Sequence, residues 1–193
     1  VLPRVLMRRP YSRDGVAGLP FRYREDLRGL GHDQMCWGSA VYAFGEVLIR
    51  AFNQHGWFAD ICGTMRDEVD YGLVARLPAL SAETDAPGLV NRFPCELALP
   101  RNVEFDLWHL GLMPVSVCKD TPYLAFDTSA SIQAVASYPT VVASMNARIS
   151  GMLRYMLCVS RIAHYVKVRL RDRVGAYVTE DACERDIQTW LHS

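Results

Sequence analysis

Neither sign of charge predominates in this sequence: 21 Lys and Arg residues face 21 Asp and Glu residues, for a formal net charge of +0. Without a global field there is nothing to draw in nucleic acid or an acidic membrane surface. Long apolar runs are also missing. The densest, Met152 to Val159, is interrupted by Arg154, and about 18 uninterrupted residues are needed to span a bilayer. This excludes a membrane-inserted helix. A signal peptide is excluded by Pro3 and Arg4, which stand where an apolar core would be required. The first residue is Val1 and not Met, which reads as a fragment or a processed product. The familiar catalytic and binding signatures are absent as well: no P-loop, no G-x-G-x-x-G, no H-E-x-x-H and no G-x-S-x-G.

What remains is the composition of a packed domain, with 50% hydrophobic and 22% charged residues. The 193 residues suffice for one domain with its own core, or for a large piece of a bigger protein. Cys36, Cys62, Cys95, Cys118, Cys158 and Cys183 are evenly spread and never form C-x-x-C. A chain this apolar needs no disulfide staples, so they read as buried, reduced, small hydrophobes of a cytosolic protein. No two Cys or His residues have zinc-ligand spacing, and neither a metal nor a cofactor is expected.

The organisation is that of one domain over 1–193. Residues 1–31 form a turn-rich leading segment in which "LPRVLM" is a short strand. Residues 32–135 form a mixed α/β body, 139–175 a long helix, and 178–192 a terminal helix. In the body, a first helix is expected from Trp37 to His55, with Asp33 as N-cap, a stripe of Val41, Phe44, Leu48 and Phe52 joined by small contacts from Ala40 and Ala51, and Gly56 as the stop. Strands are expected at 57–63, 73–77, 94–100 and 112–118, a loop at 81–88, and a short helix from Asn102 to Leu110. Ser129 to Tyr138 is ambiguous.

The strongest periodicity follows: Met145, Ile149, Met152, Met156, Val159, Ala163, Val166 and Leu170 recur at i, i+3/i+4. A helix of roughly thirty residues is about 45 Å long. That is longer than a small domain's core and points to a helix shared with something beyond this chain. Thr179 caps a last helix with acids in its first turn. The element order lacks clean β-α alternation. The fold class is therefore α+β, a mixed sheet flanked by helices.

One stretch suggests chemistry. In "HDQMCWGSAVYAFG", a Cys-Trp pair heads the first helix, and His164 follows at a spacing reminiscent of papain-like cysteine hydrolases. The remaining requirements fail. No Asn follows His164 to orient it, the C-G-x-C frame is missing, and Gln34 lies too close to Cys36 to serve an oxyanion. His164 also falls within the long helix, where a packing role is expected. The acidic pairs Glu25-Asp26, Asp67-Glu68 and Glu180-Asp181 read as solvated charge or caps. The residues therefore describe a well-packed scaffold with surface arginines, most simply an assembly subunit.

Seven collinear segments carry a resemblance. "LPRVLMRRPYS" (Leu2–Ser12), "FRYREDL" (Phe21–Leu27), "WGSAVYAFGEVLIRAFNQHGW" (Trp37–Trp57), "GLVARLP" (Gly72–Pro78), "FPCELAL" (Phe93–Leu99), "LGLMPVSVCKDTPYLAF" (Leu110–Phe126) and "NARISGMLRYMLCVSRIAHYVKVRLRDRVG" (Asn146–Gly175) lie along almost the whole chain. Together the chain resembles the C-terminal part of the large contractile-sheath subunit of bacterial type VI secretion systems, the TssC/VipB family. "SRIAHYVK" followed by "RDRVG" is the most specific piece. Departures are local. Asp70 and Tyr71 stand in a turn that is Gly-rich in the family, Cys95 takes a Thr place, and Arg154 replaces a helix-kinking Pro, which implies a straighter helix.

The resemblance implies a contractile tail-sheath-like fold and a structural, non-enzymatic, cytoplasmic protein of a bacterium. It implies assembly with a small sheath subunit (TssB/VipA type) and with other copies of itself around an inner tube protein, contraction that propels that tube, and disassembly by an ATPase. It also implies that a large N-terminal portion and a strand-exchange arm belong to the whole subunit. A phage-tail sheath is the related alternative. Candidate contacts to neighbouring subunits or the inner tube are Arg161, Lys167, Arg169 and Arg171 on the long helix, and Glu180, Asp181, Glu184, Arg185 and Asp186 on the terminal helix.

Overall fold

The computed structural model describes residues 1–7, 33, 35–65, 70–77, 93–119, 121, 123–175 and 179–192. The turn-rich stretch 8–31, the loop expected at 81–88 and the Asp67-Glu68 pair lie outside the described residues. The elements run β1 (Val5–Leu6), β2 (Trp37–Gly38), α1 (Ala40–His55), β3 (Leu73–Val74), α2 (Arg101–His109), β4 (Ser116–Val117), β5 (Leu124–Ala125), α3 (Val141–Ser150), α4 (Leu153–Asp172) and α5 (Glu180–Leu191). This is an α+β fold.

Strand β2 occupies the place where the first helix was expected to begin. Val5 pairs with Gly38 and Leu6 with Trp37, antiparallel, and Met7 N–H donates to the Cys36 carbonyl at 2.9 Å. This pairing draws Trp37 and Gly38 out of the helix. The N-cap is accordingly Ser39, whose hydroxyl accepts from Val41 N–H at 3.3 Å, and not Asp33. Gly56 closes the helix in the left-handed conformation, as expected. The buried face is Ala40, Ala43, Phe44, Val47 and Ala51; Ala40, Phe44 and Ala51 were expected there, whereas Val41 and Phe52 are exposed. The alanines let the helix backbone approach the sheet, and Phe44 meets Phe126 edge to face with ring centroids 5.0 Å apart.

Strands β3, β5 and β4 form an antiparallel three-stranded sheet in that order. The named strands are all antiparallel; the parallel component of the expected mixed sheet is an isolated bridge, Leu2 to Pro114. Two expected strands do not form. Residues 57–63 are a chain of bends that buries Ile61 completely. Their backbone is tied at single points: Gly63 N–H donates to Phe126 C=O at 2.8 Å, Gly72 N–H to Gly63 C=O at 2.9 Å, and Phe126 N–H to Gly72 C=O at 2.9 Å. A Cβ on Gly72 would lie 2.3 Å from the Phe126 oxygen, so this crossing requires glycine. In 94–100, Cys95 bridges Val5, with Leu6 N–H donating to Pro94 C=O and Glu96 N–H to Arg4 C=O, and the flanking prolines stop the ladder there.

The turn that carries Asp70 and Tyr71 compensates for its missing glycine. Tyr71 holds φ at 57°, a costly conformation for a bulky residue. Its N–H donates to Asp70 Oδ1 at 2.8 Å, and Arg50 reaches over from α1 to donate to the carbonyls of Tyr71 (2.9 Å) and Leu73 (2.7 Å). The core between α1 and the sheet contains Val5, Val47, Ile61, Val74, Val115, Leu124 and Phe126, each under 2% exposed. Each such side chain contributes roughly 1.5–3 kcal/mol on burial.

Candidate functional site

Beyond the body, the stretch expected as one long helix is two. Thr140 caps α3, accepting from Ala143 N–H at 3.3 Å, and α3 ends at Gly151. Met152 then turns extended, with ψ at 140°, before α4 starts. The straightening expected from Arg154 is overruled one turn earlier. Ser131 Oγ donates to the Gly151 carbonyl at 2.6 Å, and Leu153 N–H donates to the Ser129 carbonyl at 2.9 Å. The ambiguous segment after Ser129 is thus wedged into the break, and a Cβ on Gly151 would meet Val135 Cγ2 at 2.9 Å. From the break, Leu153 and Leu157 pack against the edge of the core.

The apolar stripe does not form a core. No residue of α4 or α5 is buried, and none of α3 is. Met145, Ile149, Met156 and Val159 are 45–58% exposed. Tyr155, Ile162 and Tyr165 on α4 are exposed too. Among the described residues nothing covers this apolar face.

The candidate charged residues divide into two groups. Arg161, Arg169 and Asp186 reach residues on other helices, whereas the rest, among the described residues, contact only near neighbours or solvent. The Arg161 guanidinium lies over Phe52 of α1 at 4.9 Å and over Tyr165 at 4.8 Å, with Nε donating to the Tyr165 hydroxyl at 3.0 Å. Arg169 Nε and Nη2 each donate to Asp186 at 2.9 Å. Lys167 and Arg171 are exposed, and Arg171 pairs with neighbouring Asp172 at 3.6 Å. Glu180 and Asp181 form the acidic first turn of α5, capped by Thr179 as expected. Glu184 accepts from Gln188, and Arg185 Nε donates to the Asp181 carbonyl.

Cys36 and His164 stand in settings unlike those expected. Cys36 precedes β2 and not the helix, and it is exposed and not buried. His164 is exposed in mid-α4 and not packed. In the body, Cys95 is buried and Cys62 partly buried. Desolvation pushes Cys62 and Cys95 up to about 11, with Ser129 hydrogen-bonded to Cys62. Such thiols are poor nucleophiles.

A cleft of about 340 Å³ lies between α2, β4 and the start of α4. Its acids, Glu104 and Asp127, both accept from Arg101 Nη1, at 3.2 and 2.6 Å. Each carboxylate is thus held as half of an ion pair, which gives the cleft a structural character. Among the described residues no group of three His, Cys, Asp or Glu could hold a metal ion, and no helix is long and apolar enough to cross a membrane. Sequence reasoning missed Arg50 and Arg101, because a lone arginine on a helix carries no signal of the carbonyls or acids it reaches.

A closed α+β body bearing an uncovered apolar helix face is the architecture of a subunit in a larger protein assembly. Residues 1–133 match a family model described as the EvpB/VC_A0108 tail sheath N-terminal domain (VipB). Residues 142–193 match the EvpB/VC_A0108 tail sheath gpW/gp25-like domain (VipB_2). The type VI secretion system sheath protein TssC1 of Pseudomonas aeruginosa is 31% identical over 190 residues, which cover 98% of this chain and 37% of that protein. The chain belongs to the VipB tail sheath family of type VI secretion. It spans little more than a third of the length of this relative.

Proposed function

We propose that this chain is a structural part of a type VI secretion sheath and that it works by packing, with no catalytic step. The observation that carries the reading is the sheath-family match along nearly the whole chain, over an α3–α4 surface that presents Met145, Ile149, Met156 and Val159 outward. Covering that surface would remove apolar area from water at roughly 25 cal/mol per Å². Repeated copies joined in this way would form a tube. The partners are a small sheath subunit of the TssB/VipA type, further copies of the same subunit and an inner tube protein. An ATPase that disassembles the contracted form acts through other parts of the subunit. Assembly takes place in the bacterial cytoplasm. Contraction would draw on two packings of the same interfaces that differ in free energy, as in other bistable assemblies.

Co-expression of the full-length subunit with the small sheath subunit of the same bacterium, followed by electron microscopy, tests the proposal. Ribbed tubules, or at minimum a stable heterodimer, are expected; two proteins that purify separately and form no tubules would overturn it. Cys36→Ala is expected to leave tubule formation intact, because the exposed thiol has no part in packing.

A further inference from the structure

Helix α5 is attached to α4 by an unusual device. No residue on either helix is buried, and a cleft of about 360 Å³ lined by Tyr165, Val168, Arg169, Asp172, Arg173 and Trp190 remains between them. Polar groups span the cleft. Asp186 Oδ2 accepts from Arg169 Nε at 2.9 Å, and Oδ1 accepts from Arg169 Nη2 at 2.9 Å and from Arg173 Nη1 at 2.7 Å. The Arg169 guanidinium also lies 5.7 Å from the centroid of the Trp190 ring, which carries the same helix one turn further on. The Asp186 side chain is 16% exposed and that of Arg169 27%, so the pair is partly desolvated. Bidentate arginine–carboxylate bonds in such settings are among the stronger polar contacts.

Arg169 and Arg173 are one turn apart on the same helix. Like charges at this spacing repel, and the carboxylate from α5 neutralises both. Without it, two neighbouring guanidiniums on α4 would lose the acceptor they share, while Ala182, Cys183, Ile187 and Trp190 of α5 are only partly buried. Seating of the helix therefore depends on a carboxylate, whereas the body depends on Phe44, Phe126 and their neighbours.

We propose that α5 is a movable element, seated on α4 by the clasp of Arg169 and Arg173 on Asp186, and that loosening the clasp frees α5 while the body stays folded. The proposal goes beyond the assembly reading, and its test uses the isolated chain.

Amide hydrogen exchange of α5 and α1, followed by mass spectrometry, distinguishes a clasp from ordinary packing. Asp186→Asn keeps the shape and removes the charge. It is expected to speed exchange in Cys183–Leu191 by about tenfold or more, with α1 unchanged, because local opening is read separately from global unfolding. Asp186→Glu keeps the carboxylate and is expected to retain most of the protection. In the unmodified chain, raising salt from about 0.05 to about 0.5 M is expected to speed α5 and not α1, since charge interactions are screened over shorter distances. Unchanged α5 exchange in Asp186→Asn would overturn the clasp. So would parallel acceleration of α1 and α5, or an Asp186→Glu variant as unprotected as Asp186→Asn.

Discussion

The body and the C-terminal helices use the same kinds of residue to opposite ends. In the body, Phe44, Val47, Val74, Leu124 and Phe126 meet one another and shed nearly all their exposure. On α3 and α4, Met145, Ile149, Met156 and Val159 are just as apolar and just as regularly spaced, yet about half of each remains in water. Periodicity reports that a helix has an apolar face. Whether this chain or another covers that face depends on what the rest of the chain can reach. Here the break at Gly151 brings only Leu153 and Leu157 back onto the core. The body is therefore stabilised from within, and the helices keep an apolar face that the described residues of this chain do not cover.

Substitutions should separate the two regions, and the largest effect is expected in the body. Phe126→Ala removes a fully buried ring and should cost about 3–5 kcal/mol in urea unfolding, with loss of the near-ultraviolet signal of the core. Ile149→Ser on α3 should leave the free chain's stability within about 0.5 kcal/mol while suppressing tubule formation. If the two substitutions destabilised the free chain equally, the contrast would collapse.

The next effect depends on pH and also belongs to the body. Burial raises the Cys62 thiol from 9.0 to about 11. In this window the native state keeps a proton that the unfolded chain has released, so the contribution is intact below about pH 9 and is lost as pH climbs to about 11. Thermal melts under reducing conditions should show a loss of roughly 2 kcal/mol across it, relative to Cys62→Ala. Parallel pH profiles for the two proteins would contradict the burial of this thiol.

Helix caps give a smaller comparison. Ser39→Ala, on the body helix, should lower global stability by about 1 kcal/mol. Thr179→Ala, on α5, should speed amide exchange in that helix and leave the melting temperature where it was. The smallest effect concerns the turn at Tyr71. Tyr71→Gly relieves the left-handed backbone and should stabilise the chain by less than about 1 kcal/mol, measured by urea unfolding.

Parts of this architecture were legible in the sequence because the signals are local. Thr179 with its acidic first turn, the short helix before Gly111 and the Gly56 stop need only neighbouring residues to be recognised. The rest depends on distant partners. Strand β5 is two residues long and exists because β3 and β4 flank it. The break at Gly151 is invisible in a stripe whose phase continues through it; it is set by Ser129, Ser131 and Val135. The start of α1 shifts because β1 claims Trp37 and Gly38. Among the candidate surface charges, nothing local reveals that Arg169 meets Asp186, 17 positions away on another helix.

Hydroxyl-radical footprinting of the free chain and of the subunit in tubules tests most directly whether the helix face is completed by neighbours. Met145, Ile149, Met156 and Val159 should react readily in the free chain and lose most of that reactivity on assembly, while Phe126 stays protected in both. Equal reactivity of the four residues in the two states would contradict the account.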